Sequence, residues 1–441
     1  MNRRTFLQSG AMTAALFCLR PVWAASADKK LFTDAEILAR TDERIEKHRM
    51  GDGSVVVRDS KGKTVRSARV TVQQLRHDFL FGSNFFMFNR CGAPDLEEAY
   101  RTRFAALLNY CTLGFYWASY ESRRGQPNHD YMDQVAAWTS EHGITCKGHP
   151  LAWDHPAGSP AWLPDDPKEV ERLSVARVGE IVSRFRGHID IWDVVNEATH
   201  LANKLNHTKM ADWASAKGAV PYVAEHLAAA RAENPKATLL VNDYRTDPPY
   251  FRLLEGLRTK RAFPFDVVGI QSHMHDGLWP LRKTWDICDT YSKLGRPLHF
   301  TETTLVSGPR KGSGENWGAT TPEGEARQAE LTEKFYRALF AHPAVQAITW
   351  WDFSDLGAWQ GAASGWLRRD MSPKPVYERL MSLVKGAWWT KTEGQTNSHG
   401  ELKLRAFFGE YRLEAELPDG RRVAKDVYWK RGEKNRFELR G

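Results

Sequence analysis

Ile189-Asp190-Ile191-Trp192-Asp193-Val194-Val195 is a short, β-branched and largely apolar run that ends in the polar pair Asn196-Glu197. An amphipathic stretch at 170–185 precedes it and another at 220–232 follows it, the pattern of a buried strand between two helices. The same unit repeats outward in both directions. Apolar runs at 79–86, 110–116, 144–149, 238–242, 266–271, 298–301 and 346–351 bring the number of strands to eight. Helical patterns at 96–108, 131–141 and 327–340 lie between them, and a last one spans 374–385. Gly143 follows a helix, Pro235 closes one, and Pro297 and Pro343 stand before strands. Strands alternating with helices imply a parallel sheet, and eight such units in about 310 residues predict an α/β fold, a closed (β/α)8 TIM barrel. An open doubly wound sheet is the alternative, but no Gly-x-Gly-x-x-Gly follows the first strand.

The flanks follow a different grammar. Stretches 53–57, 63–65 and 69–75 alternate in the β manner around Ser60-Lys61-Gly62. Stretches 402–408, 411–417, 423–428 and 436–439 do the same around Pro418-Asp419-Gly420. Neither flank is large enough for a secure core of its own. The expectation is a small β-sandwich-like accessory domain, built from both flanks beside the barrel floor. The chain then divides into 1–27, a signal segment; 28–78, an N-terminal β-rich flank; 79–386, the barrel; and 387–441, a C-terminal β-rich flank. Trp388, Trp389 and Trp429 in the last segment are read first as packing residues and second as a carbohydrate surface.

The 441 residues are 26% charged, 42% hydrophobic and 12% aromatic, which excludes disordered, collagen-like and coiled-coil chains. Lys and Arg number 62 against 54 Asp and Glu, a net charge of +8. Three of those positive charges are Arg3, Arg4 and Arg20, in a start that carries no acid. The rest are too dilute for a nucleic-acid groove, so no nucleic-acid partner is expected. The start itself, Asn2-Arg3-Arg4-Thr5-Phe6-Leu7, then apolar 11–19, then Ala25-Ser26-Ala27, has the form of a secretory signal of twin-arginine type. A periplasmic or secreted location follows. Its apolar core is far short of the ~20 residues a membrane span requires, so no membrane association is expected after its removal. Cys91, Cys111, Cys146 and Cys288 form no C-x-x-C pair. Cys91 with Cys111 is an imaginable bridge, but buried free thiols are favoured. Nothing in the sequence specifies an oligomeric state.

In a barrel of this kind the reacting groups sit where strands run into loops at the C-terminal face. The fourth barrel strand ends in Glu197 and the seventh in His299-Phe300-Thr301-Glu302. Two carboxylates from strands three apart can oppose each other across the barrel mouth. That is the pair glycoside hydrolysis needs, one protonating the leaving oxygen and the other attacking the anomeric carbon. The sixth strand adds Gln271-Ser272-His273, the third adds His149 with Trp153 beyond it, and the eighth adds Trp350-Trp351-Asp352-Phe353, then Trp359. A histidine beside the nucleophile helps hold it ionised, and exposed indoles can floor a sugar subsite. Neighbours on a strand face opposite sides, so at least one of Trp350 and Trp351 is core.

Read in order, these pieces resemble glycoside hydrolase family 10, the endo-β-1,4-xylanases and their relatives. Phe81-Gly82 opens the series, and Glu121 with Arg124-Gly125-Gln126 is similar to the family's Glu-Pro-x-Arg-Gly. Gly148-His149-Pro150-Leu151-Ala152-Trp153 and Trp192-Asp193-Val194-Val195-Asn196-Glu197 follow. Then come Asn242-Asp243-Tyr244, Gly269-Ile270-Gln271-Ser272-His273, Thr301-Glu302, Trp351-Asp352-Phe353-Ser354-Asp355 and Pro373-Lys374-Pro375-Val376-Tyr377. The resemblance implies a retaining endo-1,4-β-xylanase-like hydrolase of β-1,4-linked polysaccharide, with Glu197 as acid/base and Glu302 as nucleophile. It also implies that Asn196 bonds the sugar 2-hydroxyl and that Gln271 and His273 orient Glu302. His149, Trp153, Tyr244, Trp351 and Trp359 would line the sugar subsites. Protons and a carboxylate do this chemistry, so neither metal nor organic cofactor is expected, and the partner is a polysaccharide or oligosaccharide.

The chain also departs from the pattern. Where the family reads roughly Glu-Asn-x-Met-Lys-Trp, it has Leu113-Gly114-Phe115-Tyr116-Trp117, and the family's glycone recognition does not carry over. Thr304 stands two past the nucleophile, where Asp is common; Arg245 follows Tyr244, and Asp154-His155 follows Trp153. Other β-linked glycans therefore remain as alternative substrates. Two further alternatives are a metal-dependent barrel hydrolase built on His273-Met274-His275 and a non-catalytic carbohydrate-binding protein.

Overall fold

The computed structural model describes residues 33–203, 205–260, 262–312 and 316–441; the signal segment expected at 1–27 lies outside them. Eight parallel strands close into a barrel. They are β3 (Leu80–Asn84), β4 (Tyr110–Gly114), β5 (Thr145–His149), β6 (Ile191–Asn196), β7 (Thr238–Asp243), β8 (Val267–His273), β9 (Leu298–Thr304) and β10 (Val345–Trp350), the last pairing back onto β3. The β/α order read from the sequence is the order observed.

Helices cover the barrel's outside. Those at Pro94–Leu107, Pro167–Arg184, Pro248–Gly256, Pro322–Ala341 and Pro375–Ser382 all begin with proline in the first turn, where a missing N–H costs nothing. Asp166 and Thr321 cap two of these by accepting from Lys168 N and Gly324 N. Inside the barrel, Tyr110, Ile191, Leu240, Val267 and Ala347 pack as an apolar cluster near the start of the strands. That cluster plugs the N-terminal end and leaves the polar groups to the other end. Gly148 is required by close packing, because a Cβ there would overlap the Trp192 ring.

The two flanks build two sheets together. β1 (Met50–Arg58) lies between β12 (Glu401–Phe407) and β15 (Asn435–Arg440); β2 (Arg69–His77) lies between β11 (Lys391–Gln395) and β13 (Gly409–Glu416), with β14 (Arg422–Trp429) outside. Val55 is opposite Leu402 on one side and, in a parallel pairing, Phe437 on the other. Val55, Val70, Val72, Tyr411, Leu413 and Trp429 are among the buried residues that fill this second core. The N-terminal flank is less purely β than expected, since helices Asp34–Ala39 and Thr41–Arg49 precede β1. Stretch 63–65 contributes only a bridge, Arg58 to Thr64. Trp388 and Trp429 are buried, so both serve packing.

The flank unit sits against the barrel's N-terminal end. Buried Arg49 donates to the carbonyls of Phe340 and His342 at 2.6 Å each and of Val345 at 2.8 Å, while its guanidinium stacks 4.7 Å from the Phe79 ring. Cys91, Cys111, Cys146 and Cys288 are all buried free thiols. Among the described residues no helix is long and apolar enough to cross a membrane.

Candidate active site

The C-terminal ends of β5 to β10 meet in one polar cluster. Glu197 follows β6 directly, and its backbone is left-handed, with φ of 58°. A non-glycine residue held there is strained, and such strain persists only where surrounding contacts impose it. Here β6 is braced on both sides. A register shift falls between Asp193 and Val195, Asn196 N donates to Ala152 O, and Glu197 N donates to Asn242 O at 2.8 Å. The Glu197 carboxylate accepts from Gln271 Nε2 at 2.9 Å and from Trp153 Nε1 at 3.2 Å.

Glu302 lies within β9 and is 4% exposed. Its Oε1 accepts from Asn242 Nδ2 at 2.7 Å and its Oε2 lies 3.1 Å from His273 Nε2. Asn196 joins the two acids. Its Oδ1 accepts from Asn242 Nδ2 at 2.8 Å and from Gln271 Nε2 at 3.2 Å. A continuous path of four hydrogen bonds therefore runs from Glu197 through Gln271, Asn196 and Asn242 to Glu302. Thr301 Oγ1 donates to Asn242 Oδ1 at 2.6 Å and so fixes which end of that amide faces Glu302.

Beneath Glu302 lies a buried ion pair. Asp193 Oδ2 accepts from Lys147 Nζ and lies 2.8 Å from His149 Nδ1, while His149 Nε2 stands 3.8 Å from Glu302 Oε1. The two glutamates are thereby driven apart electrostatically. Burial is the main reason the Glu197 carboxyl is pushed up to about 8; the charges of Glu302 and Asp243 add to it, against the Gln271 and Trp153 donors. For Glu302, burial again pushes upward, but His149, His273 and Lys147 outweigh it and hold the carboxyl below the ordinary glutamate range. One acid is arranged to keep its proton and the other to lose it, the division of labour that paired-carboxylate chemistry requires.

Trp351 is buried edge-on against Phe86, His149 and His273, at centroid distances of 5.5, 5.4 and 5.8 Å. Trp350 is core, its Nε1 donating to Ser364 O. Trp359 is 44% exposed, 4.7 Å from the His273 ring, so its face is open beside the cluster. Tyr244 stands at the rim, 42% exposed and tilted against His200 at 4.9 Å, with no hydrogen bond to either glutamate. His155 stacks on Trp153 at 4.2 Å. Glu121 accepts from Trp117 Nε1 and Gly125 N, which makes it a brace for its own loop.

Three members of the network were not singled out from sequence. In the sequence Asn242 is legible only as part of Asn242-Asp243-Tyr244, and nothing there marks a role for Lys147 or Asp193. The signal available was that each is a polar side chain inside an apolar barrel strand. The ring nitrogens of His273 face Glu302 and Thr304, and His275 lies 5.8 Å away; among the described residues no three His, Cys, Asp or Glu side chains are grouped as metal ligands.

The family profile described as glycosyl hydrolase family 10 matches residues 93–383. Anti-sigma-I factor RsgI6 of Acetivibrio thermocellus is 25% identical over 394 residues, covering 88% of this chain and 47% of that protein. Endo-1,4-beta-xylanase 5 of Arabidopsis thaliana is 25% identical over 343 residues, covering 74% of this chain and 54% of that protein. The chain thus spans about half the length of these two curated relatives. Xylanase 10B of Thermotoga petrophila, solved in complex with xylobiose, shares the fold at a TM-score of 0.59 and 22% identity, with 70% of this chain and 95% of that one aligned. The matched segment covers most of the barrel, and Glu197 and Glu302 both fall inside it; the chain belongs to glycosyl hydrolase family 10.

Proposed function

We propose that this protein is a retaining glycoside hydrolase that cleaves β-1,4-linked xylan. The observation that carries the reading is the hydrogen-bonded path from Glu197 to Glu302, which ties together one carboxyl held protonated and one held ionised. In the first step a Glu302 oxygen attacks the anomeric carbon and forms a glycosyl ester. The glycosidic C–O bond breaks, and the Glu197 proton passes to the leaving oxygen. In the second step water attacks the same carbon, gives its proton to Glu197, and the ester bond to Glu302 breaks. Asn196 stands beside Glu302 where it can bond the sugar 2-hydroxyl. Trp351 and the open face of Trp359 supply surfaces for sugar rings. Xylan is favoured because relatives of this chain are named endo-1,4-beta-xylanases and a structural neighbour holds xylobiose. The twin-arginine-type start supports action outside the cytoplasm.

The test is a panel of xylan, glucan, mannan and aryl β-glycosides, with products resolved by length and the first-formed anomer assigned by NMR. Xylan should be cleaved with retention, and Glu302→Ala should abolish turnover by several orders of magnitude. Full turnover by Glu302→Ala would overturn the assignment of the nucleophile, and an inverted first product would overturn double displacement.

A further inference from the structure

Tyr116 directly precedes Trp117, the place where the pattern Glu-Asn-x-Met-Lys-Trp carries its lysine. Leu113, at the asparagine's place, is an apolar side chain buried at 2% exposure. Both groups with which that pattern meets the glycone sugar are gone, and a phenol stands in the cleft instead. Its ring lies 5.6 Å from His149 and 6.0 Å from Trp153, the side chains that adjoin Glu302 and Glu197. On its other side Phe86 lies 6.0 Å away and leads to Trp351 at 5.5 Å. Phe86, Tyr116, Trp153 and Trp351 therefore form an aromatic wall around the glutamate pair.

The Tyr116 hydroxyl finds no hydrogen-bond partner among the described residues, and the residue as a whole is half-buried. Burial, with the charges of Glu302, Glu197, Asp193 and Asp352, keeps it a neutral phenol well beyond the pH range of the reaction. That neutral O–H, on a ring packed against His149 and Trp153, is a donor with no acceptor among the described residues. A sugar occupying the cleft would supply one.

We propose that Tyr116 is a specificity-determining residue, whose hydroxyl bonds one hydroxyl of the glycone sugar while its ring packs on that sugar's apolar face. The cleft then selects its glycone by one phenol contact and an aromatic wall, in place of an amide and an ammonium group. This rests on the hydrolase reading above.

The experiment compares the parent with Tyr116→Phe, which keeps every ring contact, on aryl β-xylosides and their monodeoxy glycone series. Tyr116→Phe should lower kcat/KM about tenfold on the full glycoside, the scale of one neutral hydrogen bond. For the one monodeoxy glycoside that lacks the partner hydroxyl, parent and variant should be equal. A uniform loss across the whole series, as a merely structural role would give, or no loss at all, would overturn the proposal. Calorimetric titration with xylobiose on the Glu302→Ala background reads the same contact without turnover. There Tyr116→Phe should weaken Kd about tenfold, and an unchanged Kd would overturn the proposal. A parent that binds as expected but hydrolyses nothing would instead overturn the hydrolase reading.

Discussion

Thr304 Oγ1 lies 2.9 Å from His273 Nδ1, and the other nitrogen of that ring faces Glu302. A carboxylate accepts only, so Nε2 carries the proton it donates to Glu302. The Thr304 hydroxyl bonds the opposite nitrogen and holds the ring in that orientation without adding a charge, where an aspartate would have added one. Thr304→Val keeps the β-branched shape and removes the hydroxyl. It should lower kcat/KM about tenfold, with Thr304→Ser close to the parent, as steady-state kinetics on an aryl glycoside will show.

The pH profile follows from the two opposed carboxyls. Glu302 must be ionised, and its carboxyl lies below the ordinary range, so activity is lost only on acidification beyond that range. Glu197 must be protonated, and activity should fall as pH rises through about 8. Glu197→Ala should abolish that basic limb. With a good leaving group it should still form the glycosyl ester, and added azide should restore the slowed second step.

Glu197 also makes stability depend on pH. Its folded-state carboxyl is raised from 4.5 to about 8, so the folded protein holds a proton that the unfolded chain gives up. Stability should therefore decline as pH climbs between those two values. Glu197→Gln removes the liability; its advantage over the parent should be near zero at pH 4 and on the order of 4 kcal/mol at pH 9. Urea denaturation at the two pH values measures the difference. Equal stability of both proteins at pH 9 would contradict the raised carboxyl.

Arg49 bonds three backbone carbonyls around the start of β10. Arg49→Met keeps much of the apolar stem and leaves those carbonyls without their charged donor. It should cost about 3 kcal/mol in urea denaturation, with kcat of the remaining folded protein unchanged, because the cleft lies at the opposite end of the barrel.

The barrel was legible because its strands are apolar runs between Gly and Pro. Their ends were not. The apolar pattern of the seventh run stops at 301, whereas β9 continues to Thr304, because Glu302-Thr303-Thr304 has no apolar residue although it still pairs with β8. Helix Thr41–Arg49 escaped notice for a related reason, since Ile45 is its one aliphatic residue. β11, Lys-Thr-Glu-Gly-Gln, is an edge strand with no apolar face. Glu197 and Glu302 could be picked out because each terminates or lies within a recognisable run. Asn242 could not, because its importance depends on β7 lying beside β6 while its amide spans to β9, a relationship created by barrel closure.

The sandwich is completed by strands from opposite ends of the chain, with Val57 of β1 alongside Leu439 of β15. During synthesis the first strand waits for a partner that emerges almost 400 residues later, with the whole barrel made in between. The sheet around β1 is therefore expected to close only once β15 has been made, and a chain released before that point would present an unsatisfied sheet edge to its neighbours.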